Sequence, residues 1–169
     1  MAGGYVQING MDRQVARIKR LEGAVQKPGP HLKLAVPFFV GCVKKNFDAG
    51  GRPAKWKKKA DGSASHLMKT GRMRSSIHGK VVGKKIRVGT GVKQAAIHHF
   101  GGTISLPEIR PVNAKALRFK VGGTVVFAKK VRPHDVTIPA RPFLVFTKDD
   151  IAHGLKIIAD SMEREVNRE

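Results

Sequence analysis

Residues 80–88 read KVVGKKIRV. Lys80-Val81-Val82 and Ile86-Arg87-Val88 alternate around Gly83-Lys84-Lys85, which predicts a β-hairpin. Towards the C-terminus the strand pattern recurs. Ala116-Leu117-Arg118-Phe119 and Val125-Val126-Phe127 flank Gly122-Gly123, a second hairpin. Val136 to Ile138 is a further strand, ended by Pro139. Between the two hairpins, Gln94 to Phe100 reads as one or two helical turns stopped by Gly101-Gly102.

Towards both ends the period changes to that of a helix. From Lys148 onward, Ile151, Leu155, Ile158, Met162 and Val166 fall on one face. Thr147 followed by Asp149 and Asp150 is a good helix start, with acids against the positive end of the dipole. At the other end, Asp12 is expected to cap a helix whose apolar face is Val15, Ile18 and Leu21. Pro28-Gly29-Pro30 breaks it, and a second helix follows from about Pro30 to Asp48. Leu32, Val36, Phe39, Val43 and Phe47 form its expected core face, and Pro37 is expected to kink it. Tyr5 to Ile8 is a short β-like run, residues 49–65 read as loop, and His66 to Ile77 as a short helix. The pattern is one α+β domain over residues 1–169, with helices at both termini around a β-rich middle with hairpins.

The charge is extreme: 33 Lys and Arg against 12 Asp and Glu, formal net +21. Self-repulsion at this level calls for a nearby anion: nucleic acid, an anionic surface or an acidic protein. Thirteen of the basic residues lie between Arg52 and Lys93, where Asp61 is the one acid. Arg52, Lys55, Lys57, Lys58, Lys59, Arg72, Arg74, Lys84 and Lys85 are the residues expected near nucleic-acid phosphates. Trp56 is the single tryptophan, so a ladder of aromatics for stacking bases is missing. Any contact is therefore expected to be with the phosphate backbone and indifferent to sequence.

Other chemistries lack the residues they need. His98-His99 has no further ligand at metal spacing. Its structural reading leaves one histidine packed under the Gly-Gly turn and the other exposed. Asp48, Asp61, Glu108 and Asp135 stand singly, and the serines have no His-plus-acid grouping. Gly89-Thr90-Gly91 and Gly79-Lys80 lack the rest of a nucleotide-binding fingerprint. No catalytic set, metal or cofactor is expected. Cys42, the single cysteine, reads as a buried inert thiol. No signal pattern opens the chain, and its longest apolar run, Leu34 to Val43, is too short to span a bilayer. No membrane partner is expected, and the chain is expected to stay in a cytoplasm.

Four segments stand in fixed order: Phe47-Asp48-Ala49-Gly50-Gly51-Arg52-Pro53-Ala54-Lys55-Trp56; Leu67 to Ile77 with its Thr70-Gly71; Val88-Gly89-Thr90 with Ala95-Ala96-Ile97-His98-His99-Phe100-Gly101-Gly102; and Ile138-Pro139-Ala140-Arg141-Pro142-Phe143-Leu144. Together they resemble the phage virion morphogenesis family, which includes tail-completion and tail-to-head joining proteins. Two departures are visible. Pro53 and Trp56 are separated by two residues where many relatives have them adjacent, and Ala95-Ala96 stands where relatives often have Tyr-Ala.

The resemblance implies a non-enzymatic α+β subunit that assembles into a ring, typically a hexamer. Such a ring caps the tail tube or joins it to the head connector, with genomic DNA in its lumen. The subunit is assembled in the host cytoplasm and resides in the tail or neck of the virion. Read physically, the motifs are scaffolding. Thr70-Gly71 and Gly101-Gly102 are turns. Pro139 and Pro142 fix the backbone around Arg141, whose guanidinium is expected in an intrachain salt bridge ahead of the last helix. Phe143 and Leu144 are expected to anchor that segment in the core. Repulsion between copies predicts that the free protein is monomeric or weakly associated at low salt. The alternative from another class is a free, sequence-nonspecific basic nucleic-acid-binding protein; it leaves the Ile138–Leu144 motif unexplained.

Overall fold

A computed structural model describes residues 11–58, 62–65, 67–121 and 123–168. The expected Tyr5–Ile8 strand, Lys59, Asp61, His66 and Gly122 lie outside the described residues. In chain order the elements are α1 (Met11–Gln26), α2 (Gly29–Asp48), α3 (Arg72–Ser75), β1 (His78–Val82), β2 (Lys85–Gly89), α4 (Ala95–Phe100), β3 (Gly102–Leu106), β4 (Leu117–Val121), β5 (Thr124–Ala128), β6 (His134–Ile138) and α5 (Lys148–Val166). The α+β class is as expected, with helices at both ends and hairpins between. The chain divides into two compact units, Met1–Val92 with Phe143–Glu169, and Lys93–Pro142.

The first unit is built around α2. Its fully buried side chains include Ala35, Cys42, Val43, Asn46 and Phe47, together with His31. The expected stripe was Leu32, Val36, Phe39, Val43 and Phe47; the most buried positions sit mainly one residue earlier. The reason is that α2 is covered on more than one side. Val36 and Val40 face β1, where a Cβ at Gly79 would meet them at 2.9 and 3.0 Å. Phe39 faces α5, where a Cβ at Gly154 would collide with the outer edge of its ring. The seam between those two faces is what becomes solvent-free. Pro37 lies within the continuous α2 on an exposed side, so the carbonyl it leaves unbonded, that of exposed Lys33, can meet water.

A polar knot ties this core together. Asn46 Nδ2 donates to the carbonyls of Phe143 and Val145, both at 2.8 Å, and Arg52 Nε donates to Asn46 Oδ1 at 2.8 Å. Arg52 Nη2 donates to Cys42 O at 3.1 Å and to Asp150 Oδ2 at 2.9 Å. Asp150 also closes a capping box with Thr147, so the expected start of α5 is present. Burial pushes the Asp150 carboxyl up, but the Thr147 N–H, the Cys42 thiol, the Thr147 hydroxyl and the Arg52 guanidinium outweigh it and hold it below its usual value.

The two outer helices depart from the sequence reading. Val15, Ile18 and Leu21 of α1 are exposed instead of buried, as are Ile151 and Leu155 of α5. Buried Ala24 lies on the opposite, basic side of α1. There Arg17 Nη2 donates to Asn167 Oδ1 at 2.7 Å and Arg20 Nη1 to the Arg168 carbonyl at 2.6 Å. Arginines gathered at the carboxyl end of α5 favour this orientation, because the negative end of the helix and its unbonded carbonyls attract them. The expected helix from His66 to Ile77 is reduced to the single turn α3, since Gly71 in a left-handed conformation (φ 68°) starts it afresh.

The β1–β2 ribbon pairs Val82 with Lys85 across a two-residue turn, Gly83-Lys84. In the second unit, β4 and β5 pair around the second predicted turn, Val121 opposite Thr124. Strand β3 was not anticipated. It pairs with β6, Gly102 opposite Ile138 through Leu106 opposite His134. Its Gly-Thr-Ile-Ser-Leu sequence carries only a weak strand signal, and its partner lies beyond an intervening hairpin.

Two outcomes are expected. Gly154→Val should overpack the α2–α5 contact and cost about 1–3 kcal/mol, read as a lowered midpoint in urea unfolding. The depressed Asp150 carboxyl contributes stability that is full above its unfolded value and is lost as pH falls through its lower folded value. Asp150→Asn should therefore flatten the acid limb of a stability-against-pH curve, and an unchanged acid limb would count against the knot.

Candidate functional site

Arg52, Arg74, Lys55, Lys57, Lys58, Arg72, Lys84 and Lys85 all belong to the first unit, but they do not share one role. Arg52 is turned into the polar knot. Arg74 is held by both carboxylate oxygens of Asp48, at 2.8 and 2.9 Å, and that bidentate bond raises its already high pKa. Lys55 reaches back to the carbonyl of Ala49. Lys57 and Lys58 are exposed, as are Arg72 on α3 and Lys84 and Lys85 at the tip of the β1–β2 ribbon.

The loop that carries Lys57 and Lys58 is closely fixed. Gly50 N–H donates to Phe47 O, Gly51 N–H to Asn46 O and Trp56 N–H to Gly50 O. At Gly51 (φ 110°) a Cβ would collide with the Ala54 carbonyl and with Trp56, so a side chain is excluded. Trp56 is 8 % exposed, with its ring edge-on to Phe47 at 5.8 Å. It is therefore a core residue and not a platform for stacking bases.

The ribbon holds two cations that did not stand out as site residues in the sequence. The register places Lys80 directly opposite Arg87. Both are exposed, and the same face carries His78 and Lys85, while Gly79, Val81, Ile86 and Val88 lie on the more buried face. Like charges directly opposed across an antiparallel pair are destabilising by a few tenths of a kcal/mol or more, roughly 0.2–1. The signal was available: a two-residue turn at Gly83-Lys84 fixes the register, which makes 80 and 87 partners.

In the second unit, two of the four motifs form a single joint. The Arg141 N–H donates to the His98 carbonyl at 2.8 Å. Gly101 (φ 74°) lies so close to the segment after β6 that a Cβ would meet Ala140 N at 2.7 Å and Ile138 O at 3.0 Å. At Gly102 a Cβ would meet Ile97. The Gly-Gly pair is thus required by backbone contact with the Pro139–Pro142 segment. Arg141 is buried, and both His98 and His99 are half-buried, where one of the pair was expected to be exposed. Burial lowers the His98 pKa, and the charge of Arg141 lowers it further; burial lowers that of His99. Across the boundary, Phe143 belongs to the first unit and is fully buried, its ring 5.1 Å from Phe47. The Thr70-Gly71 turn lies in the first unit, with Gly71 N–H donating to Met68 O.

Among the described residues there is no group of three or more His, Cys, Asp or Glu placed to hold a metal ion. No helix among them is long and apolar enough to cross a membrane. The geometry is that of a scaffold with a cationic surface.

The comparisons with known proteins agree with this. The model of the phage virion morphogenesis family matches residues 47–166. "Mu-like prophage FluMu G protein 2" of Haemophilus influenzae is 30 % identical over 155 residues, covering 92 % of this chain and 93 % of that protein. No solved structure matches. The motifs, the joint they build and these two matches lead to one conclusion: the chain belongs to the phage virion morphogenesis family and has a structural role in building the phage particle.

Proposed function

We propose that this protein is a non-enzymatic subunit of the phage neck. Copies of it form a ring, a hexamer, that completes the tail and joins it to the head connector. The ring contacts the tail tube or terminator proteins on one side and the connector on the other, and genomic DNA passes through its lumen. The observation that carries the DNA-facing part of this reading is the Lys80–Arg87 pair. It opposes two like charges on an exposed ribbon in a chain of net +21, an arrangement that a neighbouring polyanion would relieve. Lys84 and Lys85 extend the same ribbon. With Trp56 in the core, contact is to phosphates and independent of base sequence, as a channel for a whole genome requires.

The assembly role is tested by removing the chain from an induced phage lysate. Filled heads and uncompleted tails should accumulate unjoined, and adding the purified protein should join them. Joined, infectious particles in its absence would overturn the proposal.

The cationic ribbon gives a second expectation. Lys80→Gln with Arg87→Gln should leave the melting temperature equal or slightly higher, because the like-charge pair is gone. For binding to short duplex DNA, the slope of log affinity against log salt should become shallower by about 2, near 0.9 per lost phosphate contact. An unchanged slope would place the DNA contact elsewhere. Tight, steeply salt-dependent binding by the monomer, with phage joining unaffected by its removal, would favour a free nucleic-acid-binding protein instead.

A further inference from the structure

Helix α1 is amphipathic in the wrong direction for a monomer. Met11, Val15, Ile18, Leu21 and Val25 fall within an arc of roughly 120° on the helix. All five are 42–64 % exposed. The arginine-bearing side is turned to α5, and Leu21, at the edge of the stripe nearest Arg17, borders α5 as well while staying 46 % exposed. Scattered exposed apolar residues are ordinary, but a continuous stripe along a whole helix marks a contact surface.

We infer that this stripe is the contact by which one subunit seats on the next, and that it docks on the amino-terminal half of the neighbour's α5. The inference rests on the ring reading above. Three observations choose the occupant. The first is charge: the outward side of α1 carries Glu22 and no Lys or Arg, in a chain of net +21. A second copy can approach there with less repulsion than at the basic surfaces, whereas an acidic partner would be drawn to those surfaces instead. The second is symmetry. In a closed cyclic ring each interface joins two different patches, so α1 must meet something other than another α1. The third is the receiving surface. Ile151 and Leu155 stand exposed at helical spacing on α5, with small Ala152 between them. The carboxyl half of α5 is already beside its own α1, where Leu21 lies with Ala159 and Met162. Lys148 and Lys156 flank the uncovered half and suit Glu22 of an incoming α1.

The area sets the strength. Five half-exposed aliphatic side chains offer on the order of 400 Å² per partner, about half of what a stable pairwise interface buries. One such contact does not hold a free dimer. Ring closure, with every subunit held on both sides, makes the contacts cooperate. This agrees with the expectation that the protein is monomeric or weakly associated in isolation.

The test places the photo-cross-linking residue p-benzoylphenylalanine at position 18 of the full chain, in assembled phage particles. After irradiation, the expected product is a ladder of multimers whose cross-linked peptides join position 18 to residues 148–156 of another copy. Leu155→Asp, at an exposed position, should leave the melting temperature within a few degrees while reducing the cross-linked ladder at least tenfold. Links from position 18 to α1 of another copy would show two-fold pairing and overturn the inference. So would links to residues 1–10 of the same chain, links to a different protein, or no link in particles that contain rings. Particles in which imaging finds no ring of this chain would overturn the ring reading itself, a result separable from the others.

Discussion

Asn46 is the point on which the first unit depends. It is a fully buried polar side chain with three hydrogen bonds, two donated to carbonyls of residues 143 and 145 and one accepted from Arg52. A buried amide is tolerated only when its hydrogen-bonding groups are satisfied, and here each bond also joins separate parts of the chain. The chain leaves the first unit after Val92 and returns at Phe143. The Asn46 amide receives that return. Arg52 then reaches from the same amide to Asp150, which caps α5. The glycine-rich loop, the re-entering segment and the last helix are thus fixed by one connected set of bonds. Phe47 and Phe143 close the apolar layer beside it.

Much of this was legible in the sequence, for local reasons. Both hairpins were visible because their turns are glycine-bearing and their flanks alternate. The start of α5 was visible because Thr147 and Asp150 satisfy amide groups within three residues of each other. The Gly101-Gly102 turn and the Pro139–Phe143 segment were each legible as motifs, but not their mutual contact, in which Arg141 bonds to His98. Long-range choices were not legible. Strand β3 is defined by a partner 28–36 residues away. The face that α1 turns inward is decided by the carboxyl end of α5, so helical periodicity alone placed Val15, Ile18 and Leu21 on the wrong side. Arg52 looked like one more cation in a basic run, because its carboxylate partner lies 98 residues further on.

The charge distribution follows from the same economy of acids. Of the few carboxylates, Asp48 is occupied by Arg74, Asp150 by Arg52, Glu108 by Arg110 and Lys130, and Glu165 by His31. Acids used in these pairs are not available to the exposed Lys80, Lys84 and Lys85 of the ribbon. The excess positive charge therefore faces outward and makes self-association costly wherever basic surfaces meet. A near-neutral apolar stripe on α1 and a cationic ribbon elsewhere give the proposed contact between copies and the proposed contact with a polyanion separate surfaces.

The account stands or falls on where the protein sits in the particle. A cryo-electron microscopy map of the neck of purified virions, at a resolution that shows helices, tests this most directly. The account requires a closed ring of this chain between tail tube and head connector, with the β1–β2 ribbon towards the DNA. Finding the chain at the far end of the tail, or absent from the finished particle, would contradict it.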